Sequence, residues 1–220
     1  MRHYAIDLDE ALRRTGDALR RHRLLLLSDK VLPSLVTTVV GAPVAGSWWA
    51  HPLCHEIYMV SQRLQDEPGV AMLKLVRGKT TFVHRALWPA LLAVGSAGGA
   101  WQTEGLAGSA LDLLGEVRGA GCARVDRLGG ARPRRDVARD AKALEARLLV
   151  FGDEVHTERG AHVKQIETWE HWARRVGLTA GEAPTPPEGR AAIDEACAAM
   201  ARGCGEAATT PWGGGARARR

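Results

Sequence analysis

The feature that most constrains the fold of this chain is an order: three helix-like patterns followed at once by a hairpin-like one. In "VAMLKLVRGKTTFVHR", residues 70–85, β-branched and aromatic residues flank Arg77, Gly78 and Lys79 as two strands joined by a tight turn would. Ahead of it, Asp7 precedes Leu8, Leu12, Thr15 and Leu19 at helical spacing, which predicts a capped amphipathic helix over 7–23 with a basic outer face. "LPSLVTTVVG" is short, β-branched and closed by Gly41, and is read as a short helix, with a strand as the alternative. Pro52 then suits the start of a third helix, because its missing N–H costs nothing there, and Leu53, Ile57, Val60 and Leu64 form one apolar stripe. Helix, helix, helix, hairpin is the order of a winged-helix module. We therefore expect a mostly helical α+β fold whose N-terminal lobe, residues 1–95, is winged-helix-like.

Past a Gly-rich break at 95–100 the patterns turn helical again. A helical lobe is expected over 101–178, with helices around 106–117, 134–149 and 160–176. Trp88, Trp169 and Trp172 sit beside apolar neighbours and are expected in the core. "TAGEAPTPPEG", 179–189, reads as a Pro-rich linker, 190–204 as a short Ala-rich helix, and 205–220, ending in "GGGARARR", as a disordered tail.

Composition narrows the functional classes. Thirty Lys and Arg against 25 Asp and Glu give a net charge of +5, and a basic balance points toward nucleic acid. The apolar runs are only a few residues long, so no membrane span is expected. Four scattered cysteines, 54, 122, 197 and 204, without a C-x-x-C pair fit reduced thiols, and the N-terminus lacks an apolar signal region, so a cytoplasmic location is expected. A Walker A loop, a dinucleotide fingerprint and a nucleophile elbow are all missing, which disfavours nucleotide-driven chemistry.

Three groups of residues are candidates for function. In a winged helix the helix before the hairpin faces DNA and a basic wing contacts phosphate, which nominates Arg63, Arg77 and Lys79. Two features resist a simple match. The connection over 41–50 is longer than the usual turn, and Glu56, Gln62 and Gln65 supply few phosphate-neutralising groups. The second group is "GSWWAHPLCHE", 46–56, in which Trp48, Trp49, His51, His55 and Glu56 are expected to wall a pocket at the start of a helix. The third is "EVHTERGAHVKQIETWEHW", 154–172, where His156, Glu158 and His162 offer imidazole and carboxylate ligands for zinc or another divalent ion, with Glu167 and His171 nearby.

The stretches "GSWWAHP", "KLVRGKTTFVHRALWPALLAVG" and "VHTERGAHVKQIETWEHW" resemble a set of uncharacterised bacterial proteins over roughly residues 20 to 175. The resemblance implies that both unusual stretches belong to one unit, and it carries no activity or catalytic residue to transfer. The sequence is thus read as a binding protein for DNA or a partner protein, with no resident cofactor expected. The competing reading is a small, metal-dependent enzyme whose pocket joins "HPLCHE" to "HTERGAH". No catalytic residue and no oligomeric state is assigned.

Overall fold

The structure is a computed structural model that describes residues 5–156, 162–179, 181 and 183–213, with the backbone alone at His156. It is a mostly helical α+β fold with two antiparallel three-stranded sheets. It divides into two compact units, Met1–Leu87 with Ala192–Arg220, and Trp88–Ala191.

In the first unit, α1 (Leu8–His22) starts where the N–H groups of Asp9 and Glu10 donate to the Asp7 carboxylate. It stops at Arg23, whose φ of 62° puts it in the left-handed region, with its N–H returning to the Leu19 carbonyl. The chain passes straight into β1 (Leu24–Leu26), then into α2 (Leu35–Val40), capped by the Ser34 hydroxyl accepting from the Thr37 N–H and ended by Gly41 at φ 87°. The long 41–53 connection leads to α3 (Cys54–Gln65), followed by the hairpin of β2 (Val70–Lys74) and β3 (Thr80–His84). The sheet order is β1-β3-β2, with Phe82 opposite Leu25 on one side and Met72 on the other. That places Phe82 at the centre of a core with Leu19, Leu35, Ile57, Val60 and Leu64. Each such side chain stabilises the fold by roughly 1.5 to 3 kcal/mol through burial.

The second unit contains α4 (Trp88–Gly95), α5 (Ala100–Thr103), α6 (Gly108–Ala120), β4 (Cys122–Arg124), α7 (Arg134–Ala146), β5 (Phe151–His156), β6 (His162–Glu167) and α8 (Trp169–Arg175). Its sheet order is β4-β6-β5, so in both units the last strand in the chain is the central one. Leu113, Val117, Val137, Ala141, Leu144 and Ile166 form its main core, and Trp88, Phe151, Trp169 and Trp172 a second, aromatic one with ring centroids 5.3 to 5.9 Å apart. The three tryptophans expected in the core are buried.

Five expectations need correction. The helix expected over 160–176 is instead β6 followed by α8, with Thr168 as the cap: "HVKQIE" pairs with β4 on one edge and β5 on the other, and this double pairing overrides the helical spacing of Ile166, Trp169 and Ala173. The lobe expected to be helical therefore carries a full sheet. The break falls at Leu87 and Trp88 rather than at 95–100, because Leu91 and Val94 of α4 are fully buried. Finally, α9 runs over Pro186–Ala201, starting inside the expected linker. Part of the expected tail is ordered too. Thr210 and Trp212 donate to Asp194, the Arg77 guanidinium donates to the Ala207 carbonyl, and residues 214–220 lie outside the described residues.

Candidate functional site

The hairpin tip was expected to present two free cations. It does not. The Arg77 N–H donates to the Thr209 carbonyl, its guanidinium donates to Ala207 and pairs with Glu206 at 2.6 Å, and its φ of 54° belongs to a tight turn. The Lys79 ammonium donates to the buried Asp29 carboxylate at 2.6 Å, which also accepts the N–H groups of Val31 and Leu32. Burial pushes the Asp29 carboxyl upward, but Lys79 and these N–H groups outweigh it and hold it below the usual carboxylate range. Asp29, Gly46, Arg77, Lys79 and Glu206 line a cavity of about 270 Å³. Arg63, on α3, pairs with the exposed Asp9 at 2.7 Å.

The "GSWWAHPLCHE" stretch does not converge on one concave wall, because its side chains enter three environments. Trp48 packs on the core of the first unit, and Trp49 stacks on it at 4.0 Å while remaining 60% exposed. The His51 Nδ1 accepts the Leu53 N–H, shaping the turn into α3, whereas His55 is exposed. Glu56 is buried and accepts the Ala5 N–H, a bond that holds its carboxyl below the usual range. Because α3 begins at Cys54, two residues after Pro52, the dipole end expected at His51 and Pro52 lies further along the chain.

The expected metal ligands fare differently. Glu158 and the His156 side chain lie outside the described residues; His162 is exposed, its Nδ1 3.8 Å from the Glu154 carboxylate. Instead, β4 and β6 pair Cys122 with Glu167, and the first turn of α8 adds His171, so that one potential ligand atom from each lies within 4.8 Å of the others. Thiol, carboxylate and imidazole are a donor set suited to zinc. Glu167 is already engaged, however: His171 Nδ1 lies 2.6 Å from Oε2 and the Arg175 guanidinium 2.5 Å from Oε1. Burial, then the Glu167 carboxylate, pushes the Cys122 thiol up, which disfavours the thiolate that a metal or a nucleophilic reaction needs. The Cys197 thiol is pushed up to about 12 by burial. The cluster therefore acts as an ionic staple between sheet and α8. Because Arg175 and His171 keep solvent contact, Glu167→Ala should cost about 2 kcal/mol in urea denaturation, less than a fully buried pair would. A midpoint unchanged from the parent would contradict the staple.

The segments 46–56 and 154–172 fall in different compact units. Cys122 was missed as a partner of Glu167 and His171, since its role depends on strand pairing across 45 positions. The charge is also divided unevenly: the first unit carries 16 Lys and Arg against 11 Asp and Glu, the second 14 against 14. Comparison with family models, with curated proteins and with solved structures finds no match for this chain. Among the described residues no helix is long and apolar enough to cross a membrane.

Proposed function

We propose that the chain is a DNA-binding protein whose first unit is a winged-helix-type module. The observation that carries this reading is the connectivity: α1, β1, α2, α3, β2 and β3 in that order, with a β1-β3-β2 sheet and a five-residue turn at the hairpin tip. Four of the cations behind the first unit's excess, Arg2, Arg217, Arg219 and Arg220, lie outside the described residues; over residues 5–87 alone, 11 Lys and Arg against 8 Asp and Glu leave an excess of 3, a sign that suits contact with a polyanion. The Asp9 that pairs with Arg63 is itself exposed, and such a surface pair is worth about 0 to 1 kcal/mol, so phosphate can replace the carboxylate.

The test is a fluorescence anisotropy titration of a labelled DNA duplex with the full chain. Saturable binding is expected at low salt, weakening linearly in log affinity against log salt, with a Kd of roughly 10⁻⁴ to 10⁻⁶ M for non-specific duplex at physiological salt. A flat titration at low salt would remove the DNA reading. The partner-protein reading would then stand, favoured by the exposed Trp49 stacked on Trp48 beside Tyr58.

A further inference from the structure

We propose that the exposed face of α7, in the second unit, is a duplex-DNA contact surface, belonging to a second module built on the plan of the first. The inference rests on the DNA reading above and names a surface that reading does not use.

The plan repeats in every element but α2. In the first unit α1 is followed after one residue by a three-residue strand, then by the helix α3, and then by two strands of which the last is central. In the second, α6 is followed after one residue by the three-residue β4, then by α7, then by β5 and β6, again with the last strand central. A single turn of 3-10 helix, Val125–Arg127, stands between β4 and α7 where α2 stands in the first unit. In this correspondence α7 has the place of α3, the helix before the hairpin.

The two helices differ in what they show to solvent. On α7, Val137, Asp140, Ala141 and Leu144 are buried, while Arg134, Arg135, Arg139 and Lys142 are all exposed. At about 100° per residue those four cations span an arc of roughly 140° on the side away from the core. Between them lie only Ala138 and Ala146 and the carboxylate of Glu145, which Lys164 neutralises at 2.7 Å. Small residues between long cations let a helix approach a phosphate backbone closely.

The second unit is balanced as a whole, 14 Lys and Arg against 14 Asp and Glu, but little on this face of α7 compensates its charge. Arg139 pairs with Asp136 at 3.2 Å and lies 3.4 Å from Asp140, whose other oxygen is taken by Arg132. Among the described residues Arg134, Arg135 and Lys142 form no ion pair. Arg135 and Arg139 are like charges one turn apart, an arrangement that weakens an isolated helix. Repulsion of that kind is relieved by an anionic partner. The N-terminus of α7, where the N-cap residue Pro133 offers no side-chain acceptor to the first-turn N–H groups, adds the positive end of the helix dipole on the side of Arg134 and Arg135. Arg132 is excluded from the surface, because its guanidinium donates to the Ser109 carbonyl and to Asp140.

The experiment compares two full-length variants of equal net charge by anisotropy with the same duplex. One replaces Arg134, Arg135, Arg139 and Lys142 with Ala; the other replaces four exposed cations outside both α7 and the winged-helix-type elements, Arg118, Arg127, Arg174 and Arg202. The α7 variant should bind about 100-fold or more weakly, and the slope of log affinity against log salt should shrink in magnitude by about 3 to 4. The second variant should stay within about threefold of the parent, and an all-lysine α7 should restore most of the affinity by keeping charge without guanidinium forks. Circular dichroism of each variant guards against unfolding. If the parent binds duplex and the α7 variant binds equally well, or if both variants lose affinity equally, the α7 surface is wrong. A parent that binds no duplex removes the DNA reading itself.

Discussion

Trp169→Ala is expected to lower the unfolding free energy of the second unit by about 3 to 5 kcal/mol, read as a drop in the urea midpoint followed by circular dichroism. The indole is 1% exposed, its rings meet Phe151 and Trp172, and its Nε1 donates to the Leu148 carbonyl at 2.7 Å. Removal would leave an apolar cavity and take from the Leu148 carbonyl the shorter of its two hydrogen bonds, the other coming from the Gln102 Nε2 at 3.2 Å. The site has little freedom to collapse, because the indole lies directly on Gly95: a Cβ there would fall 2.2 Å from the ring. A midpoint within error of the parent would mean that the indole does not hold α8 against α4.

On α3, Ile57→Ala should cost about 2 to 5 kcal/mol, whereas His55→Ala should leave the melting midpoint almost unchanged. Ile57 is fully buried among Val60, Leu64 and Phe82, and His55 is exposed two positions earlier on the same helix. Two residues along a helix is a rotation of about 200°, which is why near neighbours in sequence meet core and solvent. Equal destabilisation by the two substitutions would show that His55 is a packing residue and that this assignment of faces is wrong.

That second result depends on a pattern readable without any coordinates. The spacing of Ile57, Val60 and Leu64, the Asp7 cap and the alternation around Arg77–Gly78–Lys79 are local, and local preference agreed with the fold at each of them. The helix expected over 134–149 is likewise observed as α7, although it ends at Ala146, with Leu148 in the left-handed region at φ 52°. Its cations are equally legible in "RRDVARDAK", but only the repeated strand order shows that this helix stands where α3 stands.

What the sequence by itself determined are the elements whose causes lie within one turn or one hairpin: α1, α3, the β2–β3 pair and α7, together with burial of Trp88, Trp169 and Trp172, whereas for α2 it left helix and strand both open. Only the tertiary structure decided what depends on residues far apart in the chain. "HVKQIE" became a central strand because two other strands pair with it, and that pairing brought Cys122 to Glu167 and His171. Arg77 lost the free tip expected for it because residues 206–209, some 130 positions away, supply its carboxylate and carbonyl partners. The physical reason is the same in each case: a backbone group or charge takes the best partner that the folded chain brings within reach, and spacing along the sequence does not encode which segment that will be.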